Sequence, residues 1–481
     1  MTPPLLVASS VGVELVRWIV AVCLLYLLGV YGAYACMLVF SGVEQAVRSR
    51  RRRFESSARV RESPLTIPVS IIAAVYNEAP VIVAAVQSFV DVDYPEFEVI
   101  VVNDGSTDET LERLQAAFGL ELTDRLYRRV YPAGPVRGVY TSRLYPGLVV
   151  IDKENGGKAD ALNCGLNLAR YRYVCGVDGD TVLTRRALLD GMRLVLSDPA
   201  TIIGVTGHVG ISGRPEAAFN REGRPARLER RSLLAFQHLD YLRSFYNNRL
   251  AWTRLNTMLC AVGAFQIWRR DVLEEAGGFS TRFTCEDIEL TFRLHETMRR
   301  EHRPYRILSL ADTVGVTEGP DRIRSLIAQR ERWQRVIMET LFHYRKMFLN
   351  PRYGTVGMIG VPFFVLSEVM APVFEMLALL ALVAGLALHA VDLGQFLLIV
   401  TAIAFANGLF ATTAIALEDR TSRAYRKVDL LRMIALGPLD LIAYRPLIAY
   451  ARAKGAWRFL RGDKGWHKFE RNDRAAAGPA G

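Results

Sequence analysis

From Trp18 to Val43 the chain carries no Asp, Glu, Lys or Arg. A helix needs about 20 such residues to cross a bilayer, and the run is longer than a signal-peptide core. It is read as an uncleaved membrane anchor. Arg48, Ser49 and Arg50 to Arg53 follow directly. Positive residues beside a span mark the cytoplasmic side, so the N-terminus is expected outside and the chain beyond residue 48 inside. A basic run can also bind nucleic acid, but beside a span the membrane reading prevails, and no nucleic-acid partner is expected.

A second apolar zone begins near Val356. It continues through Met376 to Val391 and, after Asp392, from Leu393 to Leu417. It reads as two further spans, with Pro372 kinking the first or marking an approach along the membrane surface. Glu368 and Glu375 stand in or beside it, as functional acids or as interface residues. Leu430 to Tyr450 is apolar but contains Arg432, Asp440 and Arg445. A span there would put the basic tail (Arg452 to Arg474) outside, so an interfacial or re-entrant helix is expected. The closing Ala-Ala-Ala-Gly-Pro-Ala-Gly reads as disordered. With 51% hydrophobic residues and a mean hydropathy of +0.15, the chain is neither disordered nor readily a wholly soluble protein. The net charge of +11 is concentrated beside membrane segments. Six cysteines without a CxxC pair exclude a disulfide or zinc framework and read as small buried thiols in a reducing compartment.

The organisation expected is an anchor (1–47), a basic juxtamembrane linker (48–64), a cytoplasmic domain (65–320), an amphipathic interface helix (321–350), transmembrane or interfacial helices (351–452) and a basic cytoplasmic tail (453–481). That is a multi-pass protein of the cell (plasma or inner) membrane. Within the middle domain, Pro68 to Val75 and Phe97 to Val102 read as strands buried on both faces. Ala79 to Val90 and Gly157 to Arg170 read as helices, and Tyr173 to Val177 as another strand. The alternation predicts an α/β fold, a mostly parallel sheet with helices on both faces. Ligands bind such sheets beyond the carboxyl ends of the strands, where Tyr76-Asn77-Glu78, Asn103 to Asp108 and Asp178 to Asp180 should converge.

Asp178 and Asp180 flank a glycine just after a strand. Carboxylates that close are costly unless a cation neutralises them, and they suit Mg2+ or Mn2+ carrying a diphosphate. The alternative is a solvated turn. Lys158 follows Asn155-Gly156-Gly157, where glycines let backbone approach a phosphate and the ammonium can pair with it. Glu286 and Asp287 open a helix that continues to about Arg299, capped by Thr284. Asp287 suits a general base on an acceptor hydroxyl; equally, both acids would complement the helix dipole. Gln329, Arg332 and Trp333 share one face of a helix running from Asp321 to about Met347. They form a sugar-stacking platform, or a Trp anchor on the membrane surface.

Tyr76-Asn77-Glu78, Asn103-Asp104-Gly105-Ser106, Gly156-Gly157-Lys158-Ala159 with Ala161-Leu162-Asn163, Asp178-Gly179-Asp180, Glu286-Asp287 and Gln329…Arg332-Trp333 occur in an order that resembles family 2 glycosyltransferases. The resemblance is to the membrane-bound, processive branch with the hyaluronan, cellulose, chitin and poly-N-acetylglucosamine synthases, and covers roughly residues 65 to 345 with the flanking spans. It implies an A-type glycosyltransferase domain. Tyr76 and Glu78 would lie near the nucleotide base, Asp104 would hold the uridine, and Lys158 would meet the nucleotide or its phosphates. Asp178 would sit near the donor sugar or uridine and Asp180 would ligate Mg2+ or Mn2+. Asp287, beside Glu286, would be the catalytic base. Gln329, Arg332 and Trp333 would bind diphosphate and acceptor. Gly263-Ala264-Phe265 falls where the family contacts the acceptor, and Val314 to Pro320 where it has a gating loop. Cys285 departs from the Thr-Glu-Asp that the family often shows.

The function implied is inverting transfer from a nucleotide-diphospho sugar, a UDP-sugar by resemblance, to a growing β-linked polysaccharide. The few C-terminal spans leave room for an accessory export subunit. One alternative is transfer of a single sugar to a membrane lipid or lipid-linked carrier. A remote one is a channel or transporter with a nucleotide-binding domain.

Overall fold

The computed structural model describes residues 4–52, 66–125, 127, 129–215, 218, 228, 229, 231–422 and 425–463. Arg53, most of the 48–64 linker, the tail beyond residue 463 and the closing Ala/Gly segment lie outside the described residues.

Among the described residues ten strands form one sheet. They are β1 (Val69–Val75), β2 (Phe97–Asp104), β3 (Leu120–Leu122), β4 (Val136–Ser142), β5 (Leu148–Lys153), β6 (Tyr173–Asp178), β7 (Val182–Leu183), β8 (Ile202–Ser212), β9 (Phe265–Arg269) and β10 (Arg306–Glu318). Their order is β3-β4-β5-β2-β1-β6-β9-β8-β10-β7. β5, β2, β1 and β6 run parallel, as do β8 and β10. β9 lies antiparallel between β6 and β8. With β3, β4 and β7 antiparallel at the edges, the sheet is mixed around the parallel centre that the strand–helix alternation implies. Alternate residues of the central strands feed two cores. Ile72, Ile100 and Val102 pack with the Lys158–Leu168 helix on one face, and Ile71, Ala73, Val99 and Val101 pack with Ile82–Val90 on the other. That double burial is why these strands read as unbroken apolar runs.

Register aligns the strand ends. Val75 pairs with Asn103, Ala74 with Asp178 and Asp104 with Lys153. The three polar clusters therefore emerge side by side at the carboxyl edge.

Among the described residues, three helical stretches are long and apolar enough to cross a membrane: Val11–Arg50, Val356–Ala387 and Leu393–Asp419. The first belongs to α1 (Pro4–Arg52), whose 49 residues reach about 70 Å at ~1.5 Å per residue, over twice the hydrocarbon core. Its C-terminal part therefore runs on against the sheet domain, where Arg48 donates to the carbonyl of Ser309. Tyr26 Oη donates to the carbonyl of Leu366 (2.7 Å), and Tyr31 Oη to Asn407 Oδ1 (3.2 Å), tying the anchor to both later spans. Pro372 follows the π-helical turn Val365–Met370 directly and so lies inside the helical stretch Val356–Ala387. Leu430 to Tyr450 is divided between two helices, Lys427–Ala443 and Arg445–Leu460, bent by 51°.

His208, His238 and His295 are buried and kept neutral: burial pushes them down from 6.5 to about 3, 4 and 4. His295 lies 2.6 Å from both Tyr305 Oη and the Met258 carbonyl. Between pH 6.5 and 4 the unfolded chain binds more protons than the fold. Stability is therefore complete above pH 6.5 and falls below it, by at most about 1.4 kcal/mol per unit for each group. Melting temperatures measured from pH 7.5 to 4.5 should fall, with a shallower slope in His295→Gln.

Candidate active site

The loop after β5 is built on one carboxylate. Asp104, 3% exposed, accepts from Lys153 Nζ (2.7 Å), the Gly156 amide (3.0 Å) and the Gly157 amide (2.8 Å). Asp160 takes the other side of Lys153. Gly157 stands at φ 87°, in the region that glycine adopts without steric cost, and the next residue, Lys158, opens its helix. Asp104 and Lys153 thus hold the loop before Lys158 from inside, and no sequence signal marked Lys153. The Asn77 amide donates to Ser106 Oγ and that of Glu78 to Thr110 Oγ1, so the Tyr76–Glu78 turn is clasped by the loop after β2.

Lys158 reaches across the cleft. Its Nζ lies 2.7 Å from Asp178 Oδ1 and 2.7 Å from Glu286 Oε1. Burial would lower its pKa, but Asp178, Glu286 and Asp287 outweigh burial and hold the ammonium charged well above the usual lysine range. Burial raises the Glu286 carboxyl while Lys158 opposes. Asp180 accepts from Thr317 Oγ1 of β10 (3.0 Å); burial and then Asp178 push it up to about 7.

Asp287 is held on both oxygens. The Gly263 amide donates to Oδ2 (2.9 Å), and the Ile288 amide (2.6 Å) and Cys285 thiol (3.0 Å) donate to Oδ1. Burial, then the charges of Asp287 and Glu286, push the Cys285 thiol well up, so it remains a donor. The helix Glu286–Arg300 begins after Cys285 with no side-chain cap bond; the cap expected from Thr284 is not formed, because Thr284 lies one residue too early. Cys285 and Cys260 are partly exposed and Cys36 is exposed, which corrects the expectation of uniformly buried thiols. A Cβ at Gly263 would lie 2.6 Å from Lys158 Nζ and 2.8 Å from Asp287 Oδ2, so any larger residue must push those two groups out of place. Its neighbour Ala264 lines the same cleft, and Phe265 starts β9.

These groups share one cleft of about 1510 Å3. Lys158, Asp178, Asp180, Glu286, Asp287, Gln329, Arg332 and Trp333 all line it, and it continues between the apolar helices past Tyr26, Leu382, Leu397 and Asn407. Tyr76, Glu78 and Asp104 stand at the adjacent sheet edge, outside that lining. The helix Ile323–His343 is shorter than the Asp321–Met347 expected, the rest being a 3-10 turn at Arg345–Met347. Arg330, unmarked in the sequence, lies over the Trp333 ring at 4.2 Å and fixes that ring in the cleft. The expected gating loop is mostly strand: β10 continues to Glu318, held by β8.

Two substitutions separate these roles. Asp104→Ala strips a buried lysine and two amides of their acceptor and should destabilise the domain by about 3 kcal/mol, read by denaturant unfolding. Gly263→Ala displaces only side-chain ends, so the melting temperature should hold while turnover drops at least tenfold.

Residues 70–277 match the model of the glycosyl transferase family 2. The poly-beta-1,6-N-acetyl-D-glucosamine synthase of Staphylococcus epidermidis is 25% identical over 269 residues, covering 55% of this chain and 53% of that protein. That of Staphylococcus aureus is 23% identical over 290 residues, 59% of each. The chain thus spans little more than half the length of these curated relatives. Among solved structures, the mannosyltransferase PcManGT from Pyrobaculum calidifontis aligns over 85% of this chain and 99% of its own, with a TM-score of 0.49 and 19% identity. Residues 70–277 thus carry a family 2 glycosyltransferase domain, and over little more than half its length the chain is similar to polysaccharide synthases of that family.

Proposed function

We infer that the chain is a membrane-embedded, inverting glycosyltransferase that adds sugars from a UDP-sugar to a β-linked polysaccharide. N-acetylglucosamine is the sugar favoured, since the curated relatives are poly-N-acetylglucosamine synthases. The observation that carries the reading is the single cleft joining Lys158, Asp178, Asp180 and Asp287 to Gln329, Arg332 and Trp333 and then to the apolar helices.

Asp287 is the base in this reading. Its carboxylate, oriented by three donors, takes the proton of an acceptor hydroxyl as that oxygen attacks the anomeric carbon from the side opposite the diphosphate. Lys158 exchanges Asp178 for the leaving diphosphate, with no covalent nucleophile required. Tyr76 and Glu78 flank the base, while Asp104 acts through the loop it holds. Trp333 offers a stacking face to the acceptor sugar, with Gln329 and Arg332 beside it as hydrogen-bonding groups. Glu286 stays paired with Lys158.

Asp180, with Asp178, fits Mg2+ or Mn2+ on donor chemistry. Two carboxylates flank one glycine, and burial and Asp178 raise Asp180 further than Thr317 and Lys158 lower it. Among the described residues no group of three or more His, Cys, Asp or Glu could hold a metal alone, so water and diphosphate oxygens would complete the shell. The cation would add charge stabilisation for the departing diphosphate.

The apolar lining of the inner cleft favours one second reading, transfer of a single sugar to a lipid or lipid-linked carrier. Product length separates the two. The reconstituted full chain, given labelled UDP-N-acetylglucosamine and Mg2+ or Mn2+, should make polymer, and EDTA should abolish it. Asp287→Asn should lose about 10^2- to 10^4-fold in rate while still binding UDP. Trp333→Ala should shorten the product more than it slows donor consumption. A single short glycolipid would select the second reading.

A further inference from the structure

Two cavities lie along β10. The carboxyl end of the strand carries Thr317 to the catalytic cleft. Nearer its start, Arg306 borders a separate cavity of about 90 Å3 that shares no lining residue with the cleft. Four arginines and one carboxylate line this second space: Arg48, Arg193, Arg254 and Arg306 against Glu44. Glu44 is taken up by Arg48 Nε at 2.8 Å. The Arg193 side chain is only 10% exposed, and its one ion-pair contact among the described residues is Asp190 at 4.0 Å, which Arg186 also approaches, at 3.4 Å. Arg254 and Arg306 form no ion pair among the described residues. Asp198, whose charge Arg306 feels, is bonded to Thr201.

The cavity lies where the membrane segments end. Gln45 Nε2 donates to the carbonyl of Leu417 at 2.7 Å, so the apolar stretches of the first and third candidate spans finish at one level. Glu44 and Arg48 are within a helical turn of it. Guanidinium forks match phosphate oxygens and keep their charge when desolvated. The space, equal to about three waters at ~30 Å3 each, takes a small polyatomic anion and not a nucleotide. We propose that this cavity binds a phosphate group, presented by the headgroup of an anionic phospholipid on the membrane face against which the sheet domain lies. Lipid-borne phosphate is concentrated at that level and attracts juxtamembrane arginines. The assignment is independent of the donor, acceptor and product inferred for the catalytic cleft.

The test uses the purified full chain in detergent. Melting temperature is followed with added dioleoylphosphatidylglycerol, dioleoylphosphatidylcholine or inorganic phosphate, and bound lipid is counted by native mass spectrometry. Phosphatidylglycerol should raise the melting temperature by several degrees and phosphatidylcholine should not. Arg193→Gln/Arg306→Gln should lose at least half of the rise and of the retained lipid. Arg254→Gln, a change at an exposed residue, carries the same comparison if the double variant misfolds. A rise with inorganic phosphate alone, lost in the same variants, would keep the phosphate site and overturn its lipid source. Equal effects of the two lipids, or a phosphatidylglycerol effect untouched by the substitutions, would overturn the site.

Discussion

Four carboxylates cannot share a low-dielectric cleft unless cations meet them. Asp178, Asp180, Glu286 and Asp287 do share one, and Lys158 is the cation that allows it, at 2.7 Å from two of them. Because Asp178 ends β6 and Glu286 opens a helix more than a hundred residues later, this ammonium fastens the two halves of the catalytic region. Asp180 remains outside its direct reach and is pushed up to about 7. In the function proposed, a divalent ion and its diphosphate would meet Asp180 on that side of the cleft.

Lys158 can stand there only because the loop before it is fixed. The buried Asp104–Lys153 pair turns two adjacent strand ends into a cradle for the Gly156 and Gly157 amides, and the helix starts at the next residue. On the opposite wall Gly263 gives its amide to Asp287 and leaves room for Lys158 by having no side chain. Strand register, glycine placement and the orientation of the inferred base form a single arrangement, so perturbing one should be felt at the others.

The acids that look misplaced near the membrane have partners. Glu368 meets Arg452 at 2.8 Å, and Glu375 lies 3.8 Å from Arg445. Asp440 takes Arg243 at 2.8 Å and Arg445 at 3.1 Å. These pairs line or border the path from the catalytic groups to the apolar helices, and they spread hydrogen-bonding groups along a wall that lipid-like side chains continue.

The amino-acid sequence by itself determined the apolar stretches, the central parallel strands and the motifs at their ends, because each depends on local composition or period. A run without charge is apolar in any fold, and Asp178-Gly179-Asp180 follows β6 wherever β6 lies. Tertiary structure alone decided what those residues face. Antiparallel β9 enters the parallel sheet from a segment far along the chain, and its approach brings Gly263 to Asp287. Thr317 reaches Asp180 through the pairing of β10 with β7 and β8. Lys153 and Arg330 carry no motif, and they matter because burial holds Lys153 between Asp104 and Asp160 and Arg330 over the Trp333 ring. The Thr284 cap failed by a single residue of helix phase, which local preference does not specify. Long-range pairing and desolvation set these contacts, and neither has a period that a linear reading can detect.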